Sequence, residues 1–297
     1  MPMRIAAVIC SIDRPAAISR VLPAIKRQSK APTTVLLVVT RPKDLPQNLA
    51  RDHPDVQVVF SDKGLPKQRN CGLDYVQDDC DAVFFIDDDY LPASDALAGI
   101  ERSFAAFPDA SGLSGHLLAD GINGRGLSFK EAETLIEHDE QGRVSAGPKP
   151  ITATKNEVGL YGCNMAYRTK AIGALRFDER LPLYGWQEDV DFASRLPGEK
   201  LTSDAVIGVH CGVKSGRETS GQMLGYSQIA NVFYLVRKGS LPRRFGARLM
   251  MCNVLANHTK ILRSEAWIDR RARARGNRIA IWDVIVGRAT PERILEL

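Results

Sequence analysis

Ala82-Val83-Phe84-Phe85-Ile86-Asp87-Asp88-Asp89-Tyr90-Leu91-Pro92 is the stretch that decides the fold. Five consecutive apolar residues read as a strand buried on both faces, and the run stops abruptly at three carboxylates and a turn proline. Three adjacent anions repel one another, so something must neutralise them. A divalent cation with oxygen ligands, Mg²⁺ or Mn²⁺, is the natural partner at a strand end. The plain alternative is a solvated acidic turn that caps the next helix. Such turns rarely follow a five-residue buried strand directly, which favours metal or nucleotide binding.

Working outward, the first third alternates short apolar runs with helical patterns. Ile5–Cys10, Val35–Val39 and Val56–Phe60 read as strands; Pro15–Gln28 and Pro66–Gln77 read as helices. Strands separated by crossover helices predict an α/β fold with a mostly parallel central sheet flanked by helices. In such sheets ligands sit beyond the carboxyl ends of the strands, so those ends are the first places to read for chemistry. Glycines at 112, 115, 121, 124, 126, 142 and 147 break the texture from Ser111 to Leu160. That stretch reads as loops, short strands and one helix near Phe129–Glu137, a variable insertion over a site. Helix returns at Ser220–Arg237, Pro242–Arg263 and on through Trp267. No internal repeat or low-complexity tract is present.

Three further stretches carry chemistry. Trp186-Gln187-Glu188-Asp189-Val190-Asp191 opens a helix whose positive end stabilises carboxylates, and Trp186 offers a flat surface on which a sugar ring stacks. Ordinary N-terminal capping is the competing reading. Val206–His210 is a short strand ending in His and Gly, and the imidazole of His210 can complete an oxygen-rich metal shell. A lone histidine is more often structural. Lys63-Gly64, followed by Lys67 and Arg69, forms a Gly turn into a helix and a plausible diphosphate cradle without Walker spacing. Beyond His210, Lys214 and Arg217 sit among glycines in a stretch that suggests a loop closing over a diphosphate, or a plain surface loop.

Composition is that of a soluble globular chain, 44% apolar and 25% charged, which excludes wholesale disorder. No apolar run reaches the roughly 18–20 residues needed to span a bilayer. Six scattered cysteines without a C-x-x-C pair argue against a zinc site or a disulfide framework and suit a reducing cytoplasm. The 40 basic and 35 acidic residues are unevenly spread: residues 237–297 hold 14 basic and 5 acidic. An acidic body is thus followed by a strongly basic segment.

Taken together and in this order, the pieces resemble glycosyltransferase family 2, inverting enzymes with a GT-A nucleotide-binding fold, over roughly Arg4 to Gly239. Ser11-Ile12-Asp13-Arg14-Pro15 stands where the family usually shows a Thr-Tyr-Asn-Arg-like turn. Gly64…Arg69-Asn70…Gly72 matches its helix leading to the metal strand, and Asp87-Asp88-Asp89 its D-x-D motif. Gly162-Cys163-Asn164…Arg168 resembles its G-x-N-x-x-x-R segment, and Glu188-Asp189 its E-D motif. Two departures stand out: Ile12 replaces an aromatic residue, and Val39-Thr40-Arg41-Pro42 replaces an Asp that reads uracil.

The resemblance implies transfer of a sugar from a nucleotide-diphosphate donor, a UDP-sugar by preference, to a hydroxyl of a saccharide or lipid-linked saccharide. It implies Asp89 as metal ligand together with His210 and Asp87, Asp87 also lying nearer the ribose, Asp189 as catalytic base and Glu188 orienting acceptor or base. Ser11, Asp13, Arg14, Thr40, Lys63, Gly64, Arg69, Asp87 and Asp88 fall on the nucleotide side; Gly162, Asn164, Trp186 and Asp191 fall on the acceptor side. Competing readings are a degenerate carbohydrate-binding or scaffolding domain and a sugar nucleotidyltransferase. The Gly/Arg/Lys-rich first loop of the latter is missing from Ser11–Arg14. An aspartate-nucleophile phosphatase would want a small residue and Thr where Tyr90-Leu91-Pro92 stands.

The expected division is a GT-A catalytic domain over 1–236, with a nucleotide-sugar half to about 110 and an acceptor half after it. A basic helical extension over 237–297 follows. Phe245, Leu249, Cys252 and Leu255 recur at helical spacing there among arginines, so the extension suits an anionic membrane surface. It equally suits packing on the core or in a homodimer. Nucleic acid is not an expected partner. The expected location is cytoplasmic, peripheral on the cytoplasmic membrane face.

Overall fold

The computed structural model describes residues 1–147, 150–214 and 220–297. Its elements run β1 (Ile5–Cys10), α1 (Pro15–Lys26), β2 (Thr34–Val39), α2 (Leu49–Asp52), β3 (Gln57–Phe60), α3 (Leu65–Val76), β4 (Ala82–Asp87), β5 (Tyr90–Pro92), α4 (Ala96–Ala106) and β6 (Ala110–Asp120). There follow α5 (Phe129–Ala146), β7 (Ala153–Lys155), β8 (Asn164–Arg168), α6 (Thr169–Ile172), α7 (Glu188–Arg195), β9 (Glu199–His210), α8 (Gly221–Lys238), α9 (Arg243–Thr259) and α10 (Arg270–Ile285). The chain divides into two compact units: Met1–Lys63 with Lys67–Arg176 and Leu196–Val213, and Gly64–Pro66 with Phe177–Arg195 and Lys214–Leu297. Among the described residues no helix is long and apolar enough to cross a membrane.

The first unit holds the whole sheet, in the order β3-β2-β1-β4-β8-β6-β9-β5, with β7 on β9. Its β3-β2-β1-β4 half is parallel, as the alternation of apolar runs and helices predicts. These strands lie under helices on both faces, so Ile5–Ile9, Val35–Val39 and Ala82–Ile86 are buried along nearly their whole length. Beyond β4 the pairing turns antiparallel through β8, then parallel again between β6 and β9. The parallel ladder keeps Cys10 level with Asp87. The loops after β1 and β4 therefore leave the sheet side by side.

Within 111–160 the expected loops and helix are present, but residues 111–120 and 153–155 belong to the sheet as β6 and β7. β6 runs for eleven residues and α5 for eighteen, twice the helix expected. The reason lies in the glycines. Side chains at Gly112, Gly115 and Gly121 would collide with the Tyr167 ring and with the carbonyl oxygens of Val206 and Cys211. Gly112 and Gly115 allow close packing inside β6 and do not mark turns, while Gly121 opens the turn that follows the strand. β9 is likewise longer than the short strand read at Val206–His210. Its first half, Glu199–Asp204, is polar apart from Leu201 and only partly buried, so it carries no apolar run that would mark a strand.

In the second unit Ser220 caps α8 by accepting the Met223 N–H, and Gly239 ends it at φ 90°. α8 and α10 pack so closely that a methyl group on Gly225 would meet the Arg273 carbonyl, and one on Gly276 that of Gln222. A buried amide network then joins three helices. Asn257 donates to Gln228 (2.8 Å) and Asn277 (2.9 Å), and Asn277 donates to the Gly225 carbonyl (2.6 Å).

Candidate active site

Because β1 and β4 end level, Ser11 meets the acidic loop directly. Its hydroxyl donates to Asp88 (2.5 Å), and Arg14 donates to the other Asp88 oxygen (2.8 Å). Arg14 also reaches the Val213 carbonyl (3.2 Å). Asp88 is thereby turned toward the first loop. Burial pushes its carboxyl up to about 6 despite the Arg14 charge. Asp87 lies at the β4 terminus against Arg69, whose guanidinium donates to it (3.2 Å) and to the Gly162 carbonyl (3.0 Å). Burial raises the Asp87 carboxyl, with Arg69 opposing.

Asp89 faces the other way, toward the end of β9. Its carboxylate accepts the Val213 N–H (2.6 Å), and its carbonyl accepts the Cys211 N–H (2.8 Å). His210 sits opposite Tyr90 in one ladder and Asp120 in the other. Nδ1 of the imidazole contacts Asp120 (2.8 Å), while Nε2 faces Asp89 (3.4 Å). Burial alone would lower the His210 pKa. Asp120 and Asp89 outweigh it and push the imidazole up to about 10. Asp89 is held below the usual carboxylate range: burial raises it, but the hydrogen bond and charge of His210 prevail. The cluster draws positive charge to the point where Asp87, Asp89 and His210 converge.

The ligand atoms of those three residues lie within 4.8 Å of one another. Two carboxylates and one imidazole form a donor set that suits Mn²⁺ or Mg²⁺ at an open strand end, so the residues present fit such an ion.

Two residues around this cluster escaped the sequence reading. Asp120 holds His210 and accepts from the Tyr161 hydroxyl (2.8 Å) and the Ile122 N–H (3.0 Å). Its signal was an apolar run, Leu117-Leu118-Ala119, ending in Asp-Gly, the same form of strand end as at Asp87. Asp44 is wholly buried and accepts from the Asp13 N–H, the Thr40 N–H and hydroxyl, and the Arg41 N–H. No local pattern marks it. It braces Asp13, which adopts φ 56° and pairs with Arg41 and Lys43 at its exposed carboxylate. Thr40 is thus tied to Asp44, Lys63 is exposed, and Lys67 pairs with Asp62 (3.2 Å).

In the second unit, Gly64 has φ 139°, and the next residue's N–H donates to the Leu183 carbonyl (2.8 Å). The chain before α7 is held in an uncommon conformation. Leu183 and Gln187 both adopt positive φ, 59° and 70°, around Gly185 at 65°. Trp186 lies between them, its carbonyl accepting from Asn231 (3.1 Å). Glu188 and Asp189 follow in the first turn of α7, and Asp189 accepts the Val190 N–H (2.9 Å). Asp191 is wholly buried among Arg195 (2.7 Å), Lys238 (2.7 Å) and Ser240 (2.6 Å). Asn164, in the first unit, is equally buried and donates to the Gly115 carbonyl (3.3 Å). Lys214 follows β9 among the described residues; Arg217 lies outside them.

Among solved structures the chain is similar to the mannosyltransferase PcManGT from Pyrobaculum calidifontis, solved in complex with GDP-Man and Mn²⁺. That likeness has a TM-score of 0.54 and 14% identity, over 99% of this chain and 86% of that one. S. aureus TarS is similar at 0.56 and 14% identity, over 98% of this chain and 55% of the longer TarS chain. TarS 1–349 is similar at 0.55 and 14%, over 99% of this chain and 91% of that one. At such identity these likenesses establish the shared fold. No match was found among curated proteins. The family model described as "Glycosyl transferase family 2" matches residues 6–175, more than half of the chain, from β1 through the acidic strand end to the segment after β8. The chain belongs to glycosyl transferase family 2 and is a glycosyltransferase with the GT-A fold.

Proposed function

We propose that the protein moves a sugar from a nucleoside-diphosphate donor, in our reading a UDP-sugar, to a hydroxyl of a saccharide or lipid-linked saccharide, inverting the anomeric carbon with help from a divalent cation. The observation that carries this reading is the convergence of Asp87, Asp89 and His210 within 4.8 Å. A Mn²⁺ or Mg²⁺ ion bound there supplies positive charge to the diphosphate oxygens as the leaving group departs.

The chain's own residues do the rest. Asp89, His210 and Asp87 would hold the ion, with Asp87 the ligand assigned to the ribose side. Ser11, Asp13, Arg14, Thr40 and Asp88 shape the nucleotide side; Lys63, Gly64, Arg69, Lys214 and Arg217 serve the diphosphate. Asp189 takes the proton from the attacking hydroxyl, help that contributes about 10²–10⁴-fold, and Glu188 orients it. One displacement from the opposite face gives inversion without a covalent sugar–enzyme intermediate. Trp186 supplies a stacking face for the acceptor. Gly162, Asn164 and Asp191 position that side through the contacts they make.

The test is calorimetry with UDP, GDP and other nucleoside diphosphates with and without Mn²⁺. A panel of sugar nucleotides, assayed for hydrolysis and transfer with NMR of the product anomer, completes it. Metal-dependent binding of one nucleotide and an inverted product support the reading. Metal-independent turnover or a retained anomer would overturn it.

A further inference from the structure

The second unit carries a surface that sugar transfer does not use. α8, α9 and α10 enclose a groove of about 330 Å³ lined only by apolar side chains, with Phe233, Met250, Leu255, Ile281 and Ile285 among them. Leu255 is 54% exposed and Ile285 70%, and Trp282 beside them is 57% exposed. A contiguous apolar surface of this kind marks an interaction site.

Two helices bring the same pattern to it. On α9, Arg244, Arg248, Met251 and Leu255 follow one another at four, three and four residues; on α10, Arg271, Arg275, Arg278, Trp282 and Ile285 do so at four, three, four and three. Each spacing is one stripe along a helix, basic in its first half and apolar in its second. The helices run in opposite directions, joined by the short 260–269 connection, with Asn257 bonded to both Arg270 and Asn277. Arginines therefore stand at both ends of the apolar groove.

Nothing acidic in this segment answers them. Glu265 is taken by Lys260 and Arg270, Asp283 by Arg288 and Arg293, Glu292 by Arg180 and Glu296 by Arg293, while Asp269 caps α10. Among the described residues no carboxylate pairs with Arg244, Arg248, Arg271, Arg275 or Arg278. In a twofold contact a second copy would bring the same arginine rims against one another. An anionic partner with an apolar interior fits both halves of the pattern.

We propose that this face docks on the anionic surface of a lipid bilayer, the arginines meeting headgroup phosphates while Leu255, Trp282 and Ile285 enter the acyl boundary. The proposal rests on the C-terminal helices alone and stands apart from the transfer reading.

Co-sedimentation of the full chain with vesicles of phosphatidylcholine, and of phosphatidylcholine with phosphatidylglycerol, tests it without any sugar donor. Binding is expected to the anionic vesicles and to fall as salt rises. Each of Arg248→Gln and Arg278→Gln should weaken it about fivefold. Ile285→Ser should weaken it as well; all three side chains are exposed, so circular dichroism should show the fold retained. A blue shift of tryptophan fluorescence on adding anionic vesicles to the unaltered protein, lost in Trp282→Phe, provides a second readout. Failure to bind anionic vesicles, or binding indifferent to the arginine changes, would overturn the proposal. So would a dimer in vesicle-free buffer that Ile285→Ser splits, which would assign the groove to a second copy. Loss of transfer activity in the Asp189 variant described below leaves this test unaffected, so the two readings fail separately.

Discussion

Nδ1 of His210 lies 2.8 Å from Oδ1 of Asp120, ninety residues away, while Nε2 of the same ring faces Asp89 at 3.4 Å. Asp120 thus fixes the ring's orientation and the nitrogen that faces the cluster, and Tyr161 holds the other Asp120 oxygen. A carboxylate behind a ligating histidine raises its basicity and sets its tautomer.

Asp120→Asn should therefore weaken Mn²⁺ binding about 10- to 100-fold, with the fold retained by circular dichroism. Calorimetry of metal alone, without nucleotide, reads this apart from turnover. An unchanged affinity would reduce Asp120 to a structural residue.

Asp89→Ala removes a ligand and the acceptor of the Val213 N–H, so metal-dependent donor binding should disappear. Asp189→Asn keeps size and polarity but cannot take a proton. Donor affinity should stay level while kcat falls about 10²–10⁴-fold. Unchanged turnover in Asp189→Asn would remove Asp189 from the role of base.

Asp44 should make stability acid-sensitive. Burial raises its pKa, but the Thr40 hydroxyl and three backbone N–H donors prevail and hold it below the ordinary value. A depressed carboxyl stabilises the fold fully above its unfolded pKa, near 4. That stability is lost as pH falls through the lower folded value. Asp44→Ala should cost about 3 kcal/mol at neutral pH by leaving several donors unmet. In urea titrations its deficit should shrink below about pH 4.

Gly225→Ala and Gly276→Ala should each destabilise the protein by about 1–3 kcal/mol, because the added methyl meets backbone of the facing helix, which cannot rotate away. Thermal melting would show it. Gly142→Ala, where nothing lies within 4 Å, is the control and should be neutral or slightly stabilising.

Much of this was legible along the chain. Ile5–Cys10 stands as read, β2, β3, β4 and α3 lie within a residue or so of their expected bounds, and Ser220 and Gly239 bracket α8. Continuous apolar runs between turn signals report burial on both faces, a local property. β6 and the first half of β9 were missed for the opposite reason. Gly112 and Gly115 read locally as breaks, yet they exist because Tyr167 and the Val206 carbonyl, from distant strands, need the space.

The candidate site divides in the same way. The order of residues alone determined that carboxylates end a buried strand, that a histidine ends another, and that an acidic pair opens a helix. Only the tertiary structure decided what each carboxylate does. Asp88 turns to Ser11 and Arg14, Asp87 leans on Arg69, and Asp89 faces His210, which Asp120 holds from behind. Local sequence reports whether a side chain is buried. Which charge it meets there depends on strand register across tens of residues, and register is set when the sheet closes.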